Sequence, residues 1–284
     1  MSGRFAVIGH VEWGDFVQVE RVPQPGEIVH AESAWAEVAG GGAVAAVQLA
    51  KLAGSATFFT ALGDDELGNR SREHLERHGV EVVTAVRRRP QSRAFVFVDP
   101  SAERTITVIG ERLVPHAEDR LPWDRLAEMD GVYFTGGDRG ALRAARAART
   151  LVATPRARDA LRGSDITLDA LVRSASDADE QDEPGRAGWS ARMIVNTRGA
   201  EGGTFAVSEG RTGSFEAAPL DGQVVDTYGA GDSFAAGLTF ALGSGLELEA
   251  ALRTAAQCGA GNLTERGPYA GQPTAADLGI AGAT

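Results

Sequence analysis

Apolar residues along this chain follow two rhythms. "RFAVIG", beginning at Arg4, is a short apolar run after its arginine that ends in glycine, the pattern of a strand buried on both faces. "DFVQVERV", "RAFVFVD" and "TITVIG" instead alternate apolar with polar residues, and "PSAER" between the last two forms a turn. Such alternation predicts half-exposed strands in a small antiparallel sheet, a flap on a larger body.

Helical patterns lie between these runs. "GGAVAAVQLAKLAG" is a glycine turn opening a helix of small residues, and "ELGNRSREHLERHG" is amphipathic and closed by Gly79. The alternation resumes with "GVYFTGG", "ALRAARAARTLVA", "DITLDALV" and "RMIVNTRG". It ends in helices around "DSFAAGLTFALG" and "ELEAALRTAAQCGAGNL". This series predicts an α/β fold with a mostly parallel sheet and helices on both faces. The acidic "SASDADEQDEPGRAGW" is the most loop-like segment.

At 284 residues and 43% hydrophobic, the chain can bury one large core. Its 28 basic and 39 acidic residues give a net charge of −11, which argues against a general nucleic-acid or anionic-membrane surface. Cys258 is the single cysteine, so an internal disulfide and a Cys-x-x-Cys pair are both excluded. The amino-terminal apolar run is broken early by His10 and Glu12 and is too short for a secretory leader. The expectation is a soluble, cytoplasmic protein.

The candidate chemistry lies in "DTYGAGDSFAAGL", Asp226 to Leu238. Small residues at a helix start leave main-chain N–H groups uncovered, and with the helix dipole they form a pocket for a phosphate. An acidic residue there, Asp232, can take a proton from a hydroxyl while the amides stabilise a moving phosphoryl group. Aspartate and serine also cap ordinary helices, so this segment by itself leaves both readings open.

The same segment resembles the second signature of the ribokinase-like, or PfkB, carbohydrate kinases. The resemblance extends through "VPQPGE" at 22–27, "AGGGAVAAVQLAKLAG" at 39–54, "ALGDDELG" at 61–68 and "NTRG" at 196–199. It implies a Rossmann-like three-layer α/β/α domain over residues 1–284, with lid strands inserted near 11–32 and 94–110. It further implies an ATP-dependent phosphotransferase acting on a hydroxyl of a small sugar or nucleoside. Asp232 would be the base, and Gly229, Ala230 and Gly231 the anion hole. Thr197 and Gly199 would lie near the ATP phosphates or ribose, Asn262 near the adenine, and Gly40, Gly41 and Gly42 beside the sugar. Asp226 corresponds to a residue that helps bind potassium in cation-activated members, and Mg²⁺ would travel with the nucleotide. Some members dimerise through the lid, which the "FVQV" and "FVFV" alternation permits.

The departures fall on the substrate side. The customary sugar-binding aspartate of the first lid strand is Gly14, which makes Glu12, on the same strand face, the expected hydroxyl acceptor. The usual sugar-binding asparagine is Val44, a residue suited to packing or to a base-like group. The N-x-x-E motif associated with magnesium appears as Ser174 to Asp177. His74 and His78 share a helix face, but in H-L-E-R-H and without a third ligand. Trp13 and Trp35 lie in the flap, where they either cover a ligand or pack the sheet. Two other classes remain: a binding protein that has lost catalysis, and a nicotinamide-dependent oxidoreductase reading "GGGAVA" as its fingerprint with Asp64 beyond it. A P-loop kinase is excluded, because Lys51 is the sole lysine and no G-x-x-x-x-G-K-[ST] occurs.

Overall fold

Alternate residues of the first strand feed two separate cores. In the computed structural model, which describes residues 3–181 and 188–280, Phe5 and Val7 of β1 (Phe5–Ile8) enter one apolar cluster, and Ala6 and Ile8 the other. Both faces of this strand are therefore covered, as its uncharged sequence requires.

The chain continues through β2 (Glu12–Gln18), β3 (Ser33–Ala39), α1 (Gly41–Ala53), β4 (Ala56–Gly63), α2 (Glu66–Arg77), β5 (Val80–Arg87), β6 (Arg93–Val98) and β7 (Arg104–Ile109). Next come β8 (Gly131–Phe134), α3 (Arg139–Ala145), β9 (Thr150–Ala153), α4 (Arg158–Leu161), β10 (Thr167–Leu168), β11 (Ala170–Ser174), β12 (Ser190–Ala191) and β13 (Met193–Thr197). The last elements are β14 (Gly203–Val207), β15 (Thr212–Phe215), α5 (Ala230–Gly243) and α6 (Leu248–Gly261).

Among the described residues nine strands form the main sheet, in the order β15-β14-β13-β11-β9-β8-β1-β4-β5. Its pairs are parallel except β13 with β14 and β14 with β15. Helices α1, α5 and α6 contribute to the first cluster and α3 and α4 to the second, giving the expected three layers. The strand order reverses between β1 and β8. Their carboxyl ends therefore open a crevice at a switch point, where ligands of such sheets bind.

A second sheet, β3-β2-β6-β7, forms the lid. It is mixed, not antiparallel throughout, since β2 pairs with β6 in parallel. It also gains β3, within "AESAWAEVA" and outside the expected ranges, while residues 19–32 largely connect β2 to β3. The alanines of β3 carry little strand propensity, which hid its alternation. "ALRAARAARTLVA" divides as well: its first half is α3, but Thr150–Ala153 is the fully buried strand β9. Part of the loop-like acidic segment, 182–187, lies outside the described residues. No helix among them is long and apolar enough to cross a membrane.

Candidate active site

Helix α5 begins at Gly229, whose φ of 83° places it in the left-handed region. No side chain caps this start, and a methyl group built on Gly231 would meet nothing within 4 Å. The first amides of the helix thus face open space with the positive end of the dipole behind them. A buried network holds the turn in shape. Asp226 accepts from the amides of Tyr228 at 2.9 Å and Gly267 at 3.0 Å. Asn262 donates to the Tyr228 carbonyl at 2.6 Å and accepts from Ser233 Oγ at 3.4 Å. Asn262 is fully buried, and its amide braces the turn.

Asp232 stands in the first turn of this helix and is half-buried. Tyr133, at the end of β8, donates to its Oδ1 at 3.5 Å. Gly41 touches it from α1, and a Cβ there would stand 2.5 Å from the same oxygen. The crowd of protein atoms desolvates the carboxyl and raises its pKa to about 6, with Arg104 opposing the rise, Glu180 adding to it and Arg156 opposing it. That value suits a general base working near neutrality. Arg104 comes from the lid and donates to Thr227 Oγ1 at 2.7 Å. It has no carboxylate partner among the described residues.

On the lid side Glu12 is 3% exposed and accepts from Arg112 Nε at 2.9 Å. His10 Nε2 lies 4.0 Å from Glu12, and burial lowers its pKa to about 4, so the ring is neutral at pH 7. The amide of Gly40 donates to the Tyr228 hydroxyl at 3.0 Å. Gly42 is pressed against the main chain of His10. The glycine run thus lies between Glu12 on the lid side and Tyr228 and Asp232 on the helix side. Gly14 leaves no empty space, since the Phe16 ring lies across it. Val44 is fully buried against Gly229, which settles its role as packing. Trp13 lies under the Arg70 guanidinium and Trp35 stacks on Phe16 at 5.2 Å, so both pack the lid sheet.

The nucleotide-side candidates cluster at the carboxyl ends of β11 and β13. Thr197 ends β13 and donates to the Arg173 carbonyl at 3.4 Å. Gly199 has open space where a Cβ would stand. Asp177 is ion-paired with Arg156 and accepts from the amide of Asp179 at 2.9 Å. Glu180, overlooked in the sequence, is the more deeply buried carboxylate: it accepts from Ser174 N at 2.7 Å and from Arg156 Nε at 2.8 Å. A glutamate inside an acidic loop-like run gave no sign of burial. Tyr133, Arg104 and Arg112 were missed too, because only folding brings β8 and the lid edge to Asp232 and Glu12.

Other candidates separate from the crevice. His74 and His78 stack at 4.6 Å and both pack on Tyr269, which accounts for their spacing without a metal. Among the described residues no group of three or more His, Cys, Asp or Glu could hold a metal ion. Gly40–Gly42 follows a lid strand instead of β1, which removes the dinucleotide fingerprint from its required context.

Comparison with known proteins agrees with this fold. The model of the pfkB family carbohydrate kinases matches residues 3–179 and 159–275. An ATP-dependent ribose-1-phosphate kinase of Halopiger xanaduensis is 28% identical over 268 residues, covering 89% of each chain. A Haemophilus influenzae ribokinase is 22% identical over 298 residues, 96% of each chain. Among solved structures, Arabidopsis thaliana ribokinase complexed with ribose and ATP superposes with a TM-score of 0.78 at 21% identity, covering 99% of both chains. Sinorhizobium meliloti adenosine kinase gives 0.79 at 20% identity, covering 99% of this chain and 100% of the other. The chain belongs to the pfkB family and is a carbohydrate kinase.

Proposed function

We propose that the protein transfers the γ-phosphoryl group of ATP to a hydroxyl of a ribosyl-type acceptor. The ribose-1-phosphate kinase and ribokinase relatives support that acceptor class. Asp232 takes the acceptor proton, the acceptor oxygen bonds to the γ-phosphorus, the bond to the β–γ bridging oxygen breaks, and ADP leaves. The amides of Gly229, Ala230 and Gly231 stabilise the equatorial oxygens in flight. Arg104 adds positive charge beside the same carboxyl. Thr197 and Gly199 border the nucleotide phosphates.

Asp177 and Glu180 already meet Arg156, which fits a Mg²⁺ ion carried on the nucleotide and reached through water. A potassium ion beside Asp226 belongs to the same reading, since each carboxylate oxygen keeps a lone pair beyond its amide bond.

One observation carries the proposal: a carboxyl with a pKa near 6 beside an uncapped helix start on the crevice. Asp232→Asn tests it. The expected result is a loss of roughly 10²- to 10⁴-fold in kcat with ATP affinity retained. Full turnover by the variant would end the assignment.

A further inference from the structure

The carboxyl end of β9 carries a cation into the middle of the crevice. After Ala153 the chain turns at Thr154, whose side chain accepts from the amide of Arg156 at 3.5 Å, and Pro155 restrains the step between them. Strand β9 lies between β8, which holds Tyr133, and β11, whose Ser174 is aligned with Thr197 of β13. Arg156 therefore stands between Asp232 on one side and the nucleotide-side row on the other. Its charge acts on Asp232 and on the buried His10 that follows β1. The other arginine acting on Asp232, Arg104, comes from the lid. Lys51, the sole lysine, is occupied by the carbonyls of Tyr269 and Gln272.

The Arg156 guanidinium is held by two of its nitrogens and open at the third. Nε donates to Glu180 Oε1 at 2.8 Å, and Nη2 donates to Asp177 Oδ2. Glu180 is itself fixed by the amide of Ser174 at 2.7 Å, and Asp177 by the amide of Asp179 at 2.9 Å. Among the described residues Nη1 donates to no acceptor, and 47% of the side chain stays exposed although both carboxylates are more deeply covered. Holding the planar fork at Nε and Nη2 presets the direction of Nη1, so meeting a phosphate oxygen costs little further side-chain freedom. In-line transfer puts the γ-phosphorus between the acceptor oxygen beside Asp232 and the bridging oxygen on the nucleotide row, with charge spread over the equatorial oxygens. A preset donor between those two places meets that charge where it develops.

We propose that Arg156 is a catalytic residue that donates from Nη1 to the γ-phosphoryl group of ATP, with Asp177 and Glu180 positioning its guanidinium. This rests on the kinase reading and adds a residue to it. As the acceptor oxygen bonds to the γ-phosphorus, its proton passes to Asp232 and the electron pair of the broken bond leaves with ADP; Arg156 stays protonated throughout. Purified full-length protein and its variants would be assayed for ADP release on ribose and ribose 1-phosphate, with binding of ADP and of non-hydrolysable β,γ-imido-ATP followed by calorimetry. Arg156→Gln should lower kcat by about 10²- to 10³-fold. It should weaken the imido analogue about tenfold, the value of a hydrogen bond to a charged group, and leave ADP affinity nearly unchanged. Added guanidinium chloride should return part of the rate lost in Arg156→Ala and none of that lost in Asp232→Asn. Glu180→Gln keeps an oxygen for Nε and should cost clearly less than Arg156→Gln. An unchanged kcat in Arg156→Gln, or equal weakening of ADP and the analogue, would overturn the proposal. So would a loss in Glu180→Gln as large as in Arg156→Gln without rescue by guanidinium, which would make Arg156 a brace for the two carboxylates. Should the alanine variant fail to fold, Arg156→Lys decides: a point charge without the fork should keep ADP affinity yet leave kcat well below wild type, and full turnover by it would overturn the proposal. Analogue binding weakened by Arg156→Gln, with ADP binding intact and no ADP release by the wild-type protein on any acceptor, would uphold the γ-phosphate contact and overturn the kinase reading.

Discussion

The two walls of the crevice are built from different materials. The cradle wall is main chain: the uncapped start of α5, held by Asp226, Asn262 and the glycines that let Asp232 and Tyr228 come close. The lid wall is side chain: Glu12 under Arg112, and Arg104, Ile106 and Val108 on a strand with one free edge. Phosphoryl transfer needs amides at fixed positions, which little besides small residues can supply. Acceptor recognition needs only suitable side chains on a sheet, so many sequences can satisfy it. Cradle substitutions should therefore lower kcat for every acceptor, whereas lid substitutions should alter KM and preference.

The sharpest break of this comparison is Gly41→Ala. The added methyl would stand 2.5 Å from Asp232 Oδ1 and 3.0 Å from its Cγ, so the carboxyl must move. A displacement near 1 Å costs about 10²-fold in rate, and kcat should fall by about that factor with ribose and nucleosides alike. The melting temperature should hold, because alanine favours a helix by about 1 kcal/mol over glycine. A loss confined to one acceptor would show that the glycine run belongs to recognition.

Arg104→Gln probes a charged lid residue that reaches the cradle. Burial raises the Asp232 pKa to about 6 and Arg104 opposes that rise. A base works deprotonated, so kcat/KM should be full above neutrality and fall as pH drops through about 6. Removing the guanidinium lifts the carboxyl pKa further, and the acid limb should move to higher pH. Rate should drop roughly tenfold at the plateau, less than for a complete oxyanion donor. An unmoved limb would place Arg104 with recognition instead.

The same contrast explains what could be read before folding. The cradle was legible because its signature is local: Asp226, Gly229, Ala230, Gly231 and Asp232 lie within seven residues and act through the main chain they share. The three layers were legible from uncharged runs alternating with helical periods. Arg104, Arg112 and Tyr133 were not, since each meets its partner across a long stretch of sequence, as Arg112 meets Glu12; Glu180 was hidden because nothing in its acidic run marks it as buried. Asn262, placed near the nucleotide by likeness, has a bracing bond to the Tyr228 carbonyl that only folding reveals. Strand β3 was obscured by alanines that form a strand here because β2 offers them a full register.

Glu12→Gln should give the smallest effect, and it separates charge from hydrogen bonding at the acceptor. The amide keeps an oxygen that can accept from Arg112 or from a ribosyl hydroxyl, so the site is not emptied. What goes is the negative charge facing a guanidinium that is about half exposed, and solvent screening limits the value of such a pair. Freed from its carboxylate, Arg112 becomes available to an anion. KM for a neutral acceptor should rise only about threefold to tenfold with kcat little changed, while ribose 1-phosphate should gain relative to the nucleosides. Steady-state kinetics on those acceptors reads both effects. A fall in kcat of the size expected for Gly41→Ala would instead make Glu12 part of the transfer chemistry, and the division between the two walls would fail at the residue on which the lid side most depends.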